Sequence, residues 1–250
     1  MKTEWDYTDL AEAYLKRPDY SDSALRSLFE LCGLSESKRV CDVGAGVAHL
    51  TLALASTGCR VDAVEPNDAM RRLGLKRTSG NERVSWYEGT GEATGMRPSC
   101  YSMVTFGSSF NVTDRSKTLV EVKRIAEPDG WFAAMWNHRD IDDPIQSEIE
   151  GIILAAVPDY NYGTRREDQE KFLRQSGYLR DVTKIEGPVT HEMSVGDVVD
   201  AWRSHATLQR QSGHKFEAIV DEIREFLDSN CSETIVVPYT TRIWAGQLGP

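Results

Sequence analysis

Val40-Cys41-Asp42-Val43-Gly44-Ala45-Gly46-Val47-Ala48-His49-Leu50-Thr51 is the stretch on which the fold turns. Arg39–Val43 reads as a buried strand, the glycines as a tight turn, and His49–Thr57 as a helix that Gly58 ends. A strand that stops at glycines and re-enters as a helix lets backbone N–H groups approach a ligand at the helix N-terminus. Two acids sharpen this weak G-x-G signal. Asp42 ends the strand two positions before Gly44, and Glu65 ends the next strand, at the spacing where a carboxylate accepts both hydroxyls of a ribose. A nicotinamide dinucleotide fingerprint also wants Gly or Ala three residues after Gly46; His49 stands there, so the pyrophosphate version fits poorly.

Outward from this stretch, short apolar runs alternate with helical patterns, which predicts a parallel α/β sheet. Ser21–Cys32 reads as a helix capped by Ser21 or Asp22 and ended by Gly33. Further strands are predicted at Arg60–Val64, Val84–Tyr87, Ser102–Phe106 and Trp131–Trp136, with helices at Asp68–Arg77 and Ser116–Ala126 between them. Residues 137–166 are polar, aromatic and irregular. Glu167–Gln175 returns to helix, Asp181–Ile185 to strand, and Thr234–Ala245 is a final strand rich in β-branched and aromatic residues. The region between those last strands reads as a helical insertion, in which Phe216, Ile219, Val220, Ile223, Phe226 and Leu227 form one buried face.

The chain of 250 residues holds 39 acidic and 29 basic side chains, a net charge of −10. An acidic balance argues against nucleic acid and anionic membranes as partners, because phosphate binding rests on clustered Lys and Arg. The five cysteines include no C-x-x-C pair, which points to reduced thiols in a cytoplasmic protein, with neither disulfides nor a metal site expected. Neither a signal peptide nor an apolar run long enough to span a membrane is visible.

Four segments in order, Asp42–Gly46, Ala63-Val64-Glu65-Pro66-Asn67-Asp68-Ala69-Met70, Glu88-Gly89-Thr90-Gly91-Glu92 and Arg124–Gly130, resemble the successive motifs of class I S-adenosylmethionine-dependent methyltransferases of small molecules. The resemblance covers roughly residues 10–137. It implies a Rossmann-like α/β fold with a seven-stranded, mostly parallel sheet and an antiparallel last strand. One domain over 1–250 is expected, its core at about 20–137, 167–186 and 234–245, with a helical cap from about 138–166 and 187–233. The implied cofactor is S-adenosyl-L-methionine. By position, Asp42, Gly44, Ala45 and Gly46 would hold its methionine and ribose parts, Glu65 the ribose hydroxyls, and Pro66 and Met70 the adenine. Thr90, Gly91 and Glu92 would lie at the adenine edge, and Gly107, Ser108 and Phe110 beside the methyl group. Tyr14, Arg17 and Tyr20 fall where an N-terminal helix covers the cofactor in this family. Ala48 and Asp129 depart from the family pattern, which favours glycine at both places.

Acceptor pockets in such enzymes come from segments after the fourth and fifth strands and from insertions. Here those segments hold Asn111, Trp136, Asn137, Arg139, Tyr160, Tyr162, Arg165, Arg166, Arg203 and Arg210 as candidate acceptor contacts. His138 and His205 are candidate bases, since an alcohol or acid acceptor needs a base or prior ionisation. Arginine forks recognise carboxylate or phosphate, so the expectation is a small, polar, anionic acceptor, methylated on oxygen in preference to nitrogen. The competing reading pairs the same arginines with Glu167, Asp168, Glu170 and Asp200 on a solvated helix. Alternatives for the whole chain are a nucleic-acid or protein methyltransferase, or a cofactor-binding regulator without turnover.

Overall fold

The computed structural model describes residues 8–163 and 166–249. Its centre is β1 (Arg39–Val43), whose side chains alternate between two cores as the two-residue period of a strand requires. Cys41 and Val43 join Phe106, Phe132, Trp136 and Trp244 on one face. Val40 joins Leu28, Leu54, Met103, Met135 and Ile243 on the other. Burial on both faces is why the strand reads as an apolar run and not as an alternation.

The sheet is completed by β2 (Arg60–Val64), β3 (Val84–Tyr87), β4 (Tyr101–Gly107), β5 (Ala126–Arg139), β6 (Leu179–Ser194) and β7 (Thr234–Leu248), in the order β3-β2-β1-β4-β5-β7-β6. β1 to β5 are parallel. β7 runs antiparallel between β5 and β6. The strand order reverses between β1 and β4, and a crevice at such a switch point is where open α/β sheets bind ligands. Helices α1 (Ala11–Tyr14), α2 (Asp22–Leu31), α3 (His49–Ser56), α4 (Asp68–Arg77) and α5 (Arg115–Ile125) connect and cover the first strands. Ser21 caps α2 by accepting the Ala24 N–H, and Asn67 caps α4 through the Met70 N–H.

Three strands run longer than their sequence predicts. β5 continues to Arg139, so Asn137, His138 and Arg139 are set by sheet register and not by a loop. β6 and β7 extend far beyond the core: Gly187–Ser194 pairs with Thr234–Thr241. The segment expected as a purely helical insertion therefore begins as a strand. One face of this extension carries Ile235, Val237 and Tyr239, on which α6 (Pro144–Ala156), α8 (Val195–Arg203) and α10 (Phe216–Asn230) pack through Ile149, Ile153, Trp202, Ile219 and Ile223. The α10 stripe read from the sequence is part of this cap core. The short helices α7 (Glu170–Gln175) and α9 (Ala206–Ser212) complete the fold. Among the described residues, no helix is long and apolar enough to cross a membrane.

Candidate active site

The turn after β1 is pinned from below. Gly44 and Ala45 donate their N–H groups to Val64 O at 2.8 and 3.1 Å. A Cβ on Gly44 would lie 2.4 Å from Ser109 Cβ, so this glycine is required by the approach of the loop after β4. Gly46 differs: at φ +56° a Cβ there would point into open space. The turn thus presents bare backbone to a cavity of about 800 Å³.

Two carboxylates sit at its rim. Glu65, buried, accepts Gly46 N–H at 2.9 Å and Asn67 N–H at 2.8 Å. Burial pushes its carboxyl up to about 7 in spite of those two donors. Asp42, fully buried, accepts Thr51 Oγ1 at 2.6 Å and Thr105 Oγ1 at 3.2 Å, and burial pushes it up to about 6. Gly44, Ala45, Gly46, Asp42, Glu65, Pro66, Met70, Thr90, Gly91, Glu92, Gly107 and Ser108 all line the cavity. Phe110 does not. It is fully buried, its ring 5.3 Å from that of Phe106 and 5.1 Å from that of Phe132, so the aromatic core claims it and Phe106 lines the cavity in its place.

Tyr14, Arg17 and Tyr20 close the same cavity from the N-terminal segment. Tyr20 Oη lies 3.2 Å from Ser108 Oγ. Arg17 stacks over Tyr14, 3.6 Å from its ring centroid, and donates to Ser204 O at 2.7 Å and Ser204 Oγ at 3.1 Å. Asn137 Nδ2 donates to Asp19 O at 2.9 Å, so this expected acceptor contact also anchors the segment. His49 joins Asp19 Oδ1 at 2.7 Å and donates to Tyr14 O at 3.0 Å.

The far end of the cavity has the opposite chemistry. Asn111, Asn137, His138, Arg139, Tyr162, Arg166, His205 and Arg210 line it, joined by Tyr239, which pairs with Arg139 across β5 and β7. The Arg139 guanidinium lies 3.7 Å over the Trp202 ring. Arg166 lies 4.2 Å over Tyr162 and donates to Arg139 O at 3.1 Å. Tyr162 donates to Glu150 Oε2 at 2.5 Å, and burial pushes its phenol up to about 12. His138 Nδ1 receives Arg242 Nη1 at 3.1 Å, and His205 Nδ1 receives Leu208 N–H at 3.3 Å. Among the described residues, neither Arg139 nor Arg166 has a carboxylate within ion-pair distance.

The remaining expectations fall elsewhere. Trp136 is fully buried against Trp244, at 5.8 Å between ring centroids, and its Nε1–H donates to Asn111 Oδ1 at 2.8 Å. It does not line the cavity, although His138, two residues on along the same face of β5, does. Tyr160 is buried in the cap core with its ring 5.1 Å from that of Tyr162. Arg203 pairs with Asp200 at 3.3 Å on the outer side of α8, the solvated pairing that competed with an acceptor role. Arg165 lies outside the described residues. Tyr239, His49, Asn67 and Ser109 also line the cavity and were not read from the sequence. Only the Tyr239–Arg139 register could have revealed one of them. Among the described residues, no group of three or more His, Cys, Asp or Glu side chains could hold a metal ion.

The family profile described as "Methyltransferase domain" matches residues 41–134, which span the glycine turn, both rim carboxylates and β4. Over those residues the chain is similar to a methyltransferase domain. An uncharacterized methyltransferase of Mycobacterium tuberculosis is 30% identical over 124 residues, 50% of this chain and 48% of the relative. One from Schizosaccharomyces pombe is 28% identical over 138 residues, 55% of this chain and 54% of the relative. The chain thus spans about half the length of the curated relatives it matches. A candidate type II methyltransferase from Anaeromyxobacter dehalogenans shares the fold with a TM-score of 0.62 at 19% identity, over 92% of this chain and 97% of that one. The YcgJ protein of Bacillus subtilis gives 0.55 at 16% identity, over 90% and 97%. S-adenosylmethionine is the cofactor of this methyltransferase domain class. The residues present fit it: a glycine cradle open at Gly46, and a buried carboxylate at the end of β2 positioned for a ribose.

Proposed function

We propose that this methyltransferase domain transfers a methyl group to an oxygen of a small anionic acceptor. The observation that carries the reading is the pair Arg139 and Arg166, which line the cavity with no carboxylate partner among the described residues, in a chain with ten more acids than bases. Other arginines near the cap, such as Arg174 and Arg203, have found acids. A cation that is partly desolvated and unneutralised favours an anion from outside.

The sheet order separates two halves of the cavity. Asp42, Glu65 and Glu92 lie at or after β1, β2 and β3, while the arginines lie at β5 and in the cap. At about 4.8 Å per strand, β2 and β5 are about 14 Å apart, which suits a nucleoside at one end and an acceptor at the other. S-adenosylmethionine, when bound, supplies an electrophilic methyl group on a sulfonium sulfur. The role assigned to the chain is alignment: Glu65 and the Gly46 turn would hold the nucleoside, the N-terminal segment would exclude water, and Arg139 and Arg166 would orient the acceptor.

The test is release of S-adenosylhomocysteine over a panel of small carboxylic acids, phosphate esters, alcohols and amines. Acids are expected to turn over, with KM raised about 10- to 100-fold by Arg139→Ala or Arg166→Ala, the worth of one charge-assisted hydrogen bond. Turnover of amines alone, or an unchanged KM in both variants, would sink the anionic reading.

A further inference from the structure

His138 stands at the end of β5 beside the arginines, and a histidine there invites the role of base. Its surroundings argue otherwise. The ring's Nδ1 faces Arg242 Nη1 at 3.1 Å. A guanidinium can only donate, so Nδ1 must present its lone pair and the ring proton must sit on Nε2. Arg242 is in turn held by Glu186, Nε to Oε1 at 2.8 Å, and Lys184 holds Glu186 at 3.1 Å. His138 and Arg242 lie on the same face of the β5–β7 pair, so sheet register fixes the contact.

His205 is restricted in the same way: Leu208 N–H occupies Nδ1 at 3.3 Å and leaves the proton on Nε2. The carboxylates of the cavity are committed to scaffold donors. Thr51 and Thr105 hold Asp42, Gly46 and Asn67 hold Glu65, Asp114 N–H holds Glu92, and Lys117 holds Asp114. Neither histidine of the acceptor half thus presents a basic lone pair, and His138 Nε2 is itself buried.

We infer that Arg242, set by Glu186, is a positioning residue that fixes His138 in the Nε2–H tautomer, so that the ring is not a base, and that the methylated oxygen is one already ionised at neutral pH, as in a carboxylic acid. This deepens, and rests on, the reading of methyl transfer to an anionic acceptor. The step balances without a base. A lone pair of the ionised oxygen forms the new C–O bond, the C–S bond breaks with its electrons returning to sulfur, and the products are a neutral ester and a thioether. No proton moves.

Two measurements test it. The first needs no acceptor: 15N-detected imidazole spectra of the whole chain at pH 7.5 should show His138 in the Nε2–H tautomer, with Nδ1–H signal appearing in Arg242→Met and the wild-type pattern retained in Arg242→Lys. A wild-type His138 protonated on Nδ1, or an Arg242→Met spectrum identical to wild type, overturns the positioning role. The second compares turnover of the acid panel by His138→Gln, whose amide N–H stands near Nε2, and by His138→Ala. Without a base at this position, glutamine is expected to keep turnover within about threefold, any larger loss being confined to alanine, which removes packing as well. A glutamine variant as inactive as alanine marks a base and overturns the inference, because general-base loss costs about 10²–10⁴. Turnover confined to alcohols overturns it as well. If no compound on the panel is methylated, the methyl-transfer reading fails while the tautomer spectra still decide the role of Arg242.

Discussion

Glu65 Oε2 accepts the backbone N–H of Gly46 at 2.9 Å, so the end of β2 and the turn after β1 meet at a single carboxylate. Its carboxyl is raised from 4.5 to about 7 by burial. A raised carboxyl means that the folded state holds the proton more tightly than the unfolded chain. The group therefore costs stability progressively as pH rises from about 4.5 to about 7, and no further above that. In the role proposed for Glu65, cofactor binding runs the other way, because ribose hydroxyls would donate to the ionised form. S-adenosylmethionine affinity, measured by calorimetry, should fall as pH drops below about 7, approaching tenfold per pH unit, and Glu65→Gln should flatten that dependence and weaken binding about tenfold or more. A pH-independent affinity in the wild type would exclude Glu65 as the ribose partner.

Ala48 holds φ +78° at the start of α3 and is fully buried. The left-handed region costs a residue with a Cβ about 1–2 kcal/mol, against about 0.8 kcal/mol gained by burying its methyl group. Ala48→Gly should accordingly stabilise the fold by up to about 1 kcal/mol in urea unfolding. A lower midpoint would show that the methyl contact outweighs the backbone strain.

Trp136 supports β5 and does not line the cavity. With its ring against Trp244 and its Nε1–H on Asn111, Trp136→Ala should cost about 3–5 kcal/mol in denaturant unfolding. Trp136→Phe keeps most of the packing and should leave acceptor KM within about twofold. A large KM change in that milder variant would return Trp136 to the acceptor site.

What the sequence disclosed follows from which interactions are local. The glycine turn, the acid after β2 and the cap of α2 are written within a few residues each, and the structure has them where the pattern puts them. The left-handed Ala48 and Asp129, at φ +78° and +61°, explain in backbone terms why a family pattern favours glycine there. The cap was only half legible. Gly187 and Pro188 are residue types that weaken a strand interior, yet both sit in β6, where β7 supplies a continuous partner through Thr240 and Thr241. Once β5 was known to run to Arg139, alternation alone would have separated Trp136 from Asn137. Tyr239 beside Arg139 is a register contact between strands a hundred residues apart, and no local pattern encodes it.

Arg17 joins the N-terminal segment to the cap through Ser204, whose carbonyl ends α8. A guanidinium there meets the negative end of the helix dipole, at a carbonyl that Ala206 N–H also reaches at 3.1 Å, so the contact is stronger than an ordinary surface hydrogen bond. The ties through Asn137 and His49 run to the core, while Arg17, the exposed Lys16–Asp197 pair and His191, whose Nε2 lies 3.2 Å from Asp19 O, bind the segment to the cap. Arg17→Ala should therefore loosen the cap side while the core side holds. Hydrogen exchange should rise across residues 11–20 and in the last turn of α8, with β1 and β4 unchanged. Because Tyr14, Arg17 and Tyr20 line the cavity, S-adenosylmethionine should also dissociate about 3- to 10-fold faster, the change expected for one lost charge-assisted bond in a partly exposed setting. Lys16→Ala removes an exposed pair worth little and should change neither reading. Equal effects from the two variants would mean that net charge, and not the Arg17–Ser204 bond, holds the segment across the site.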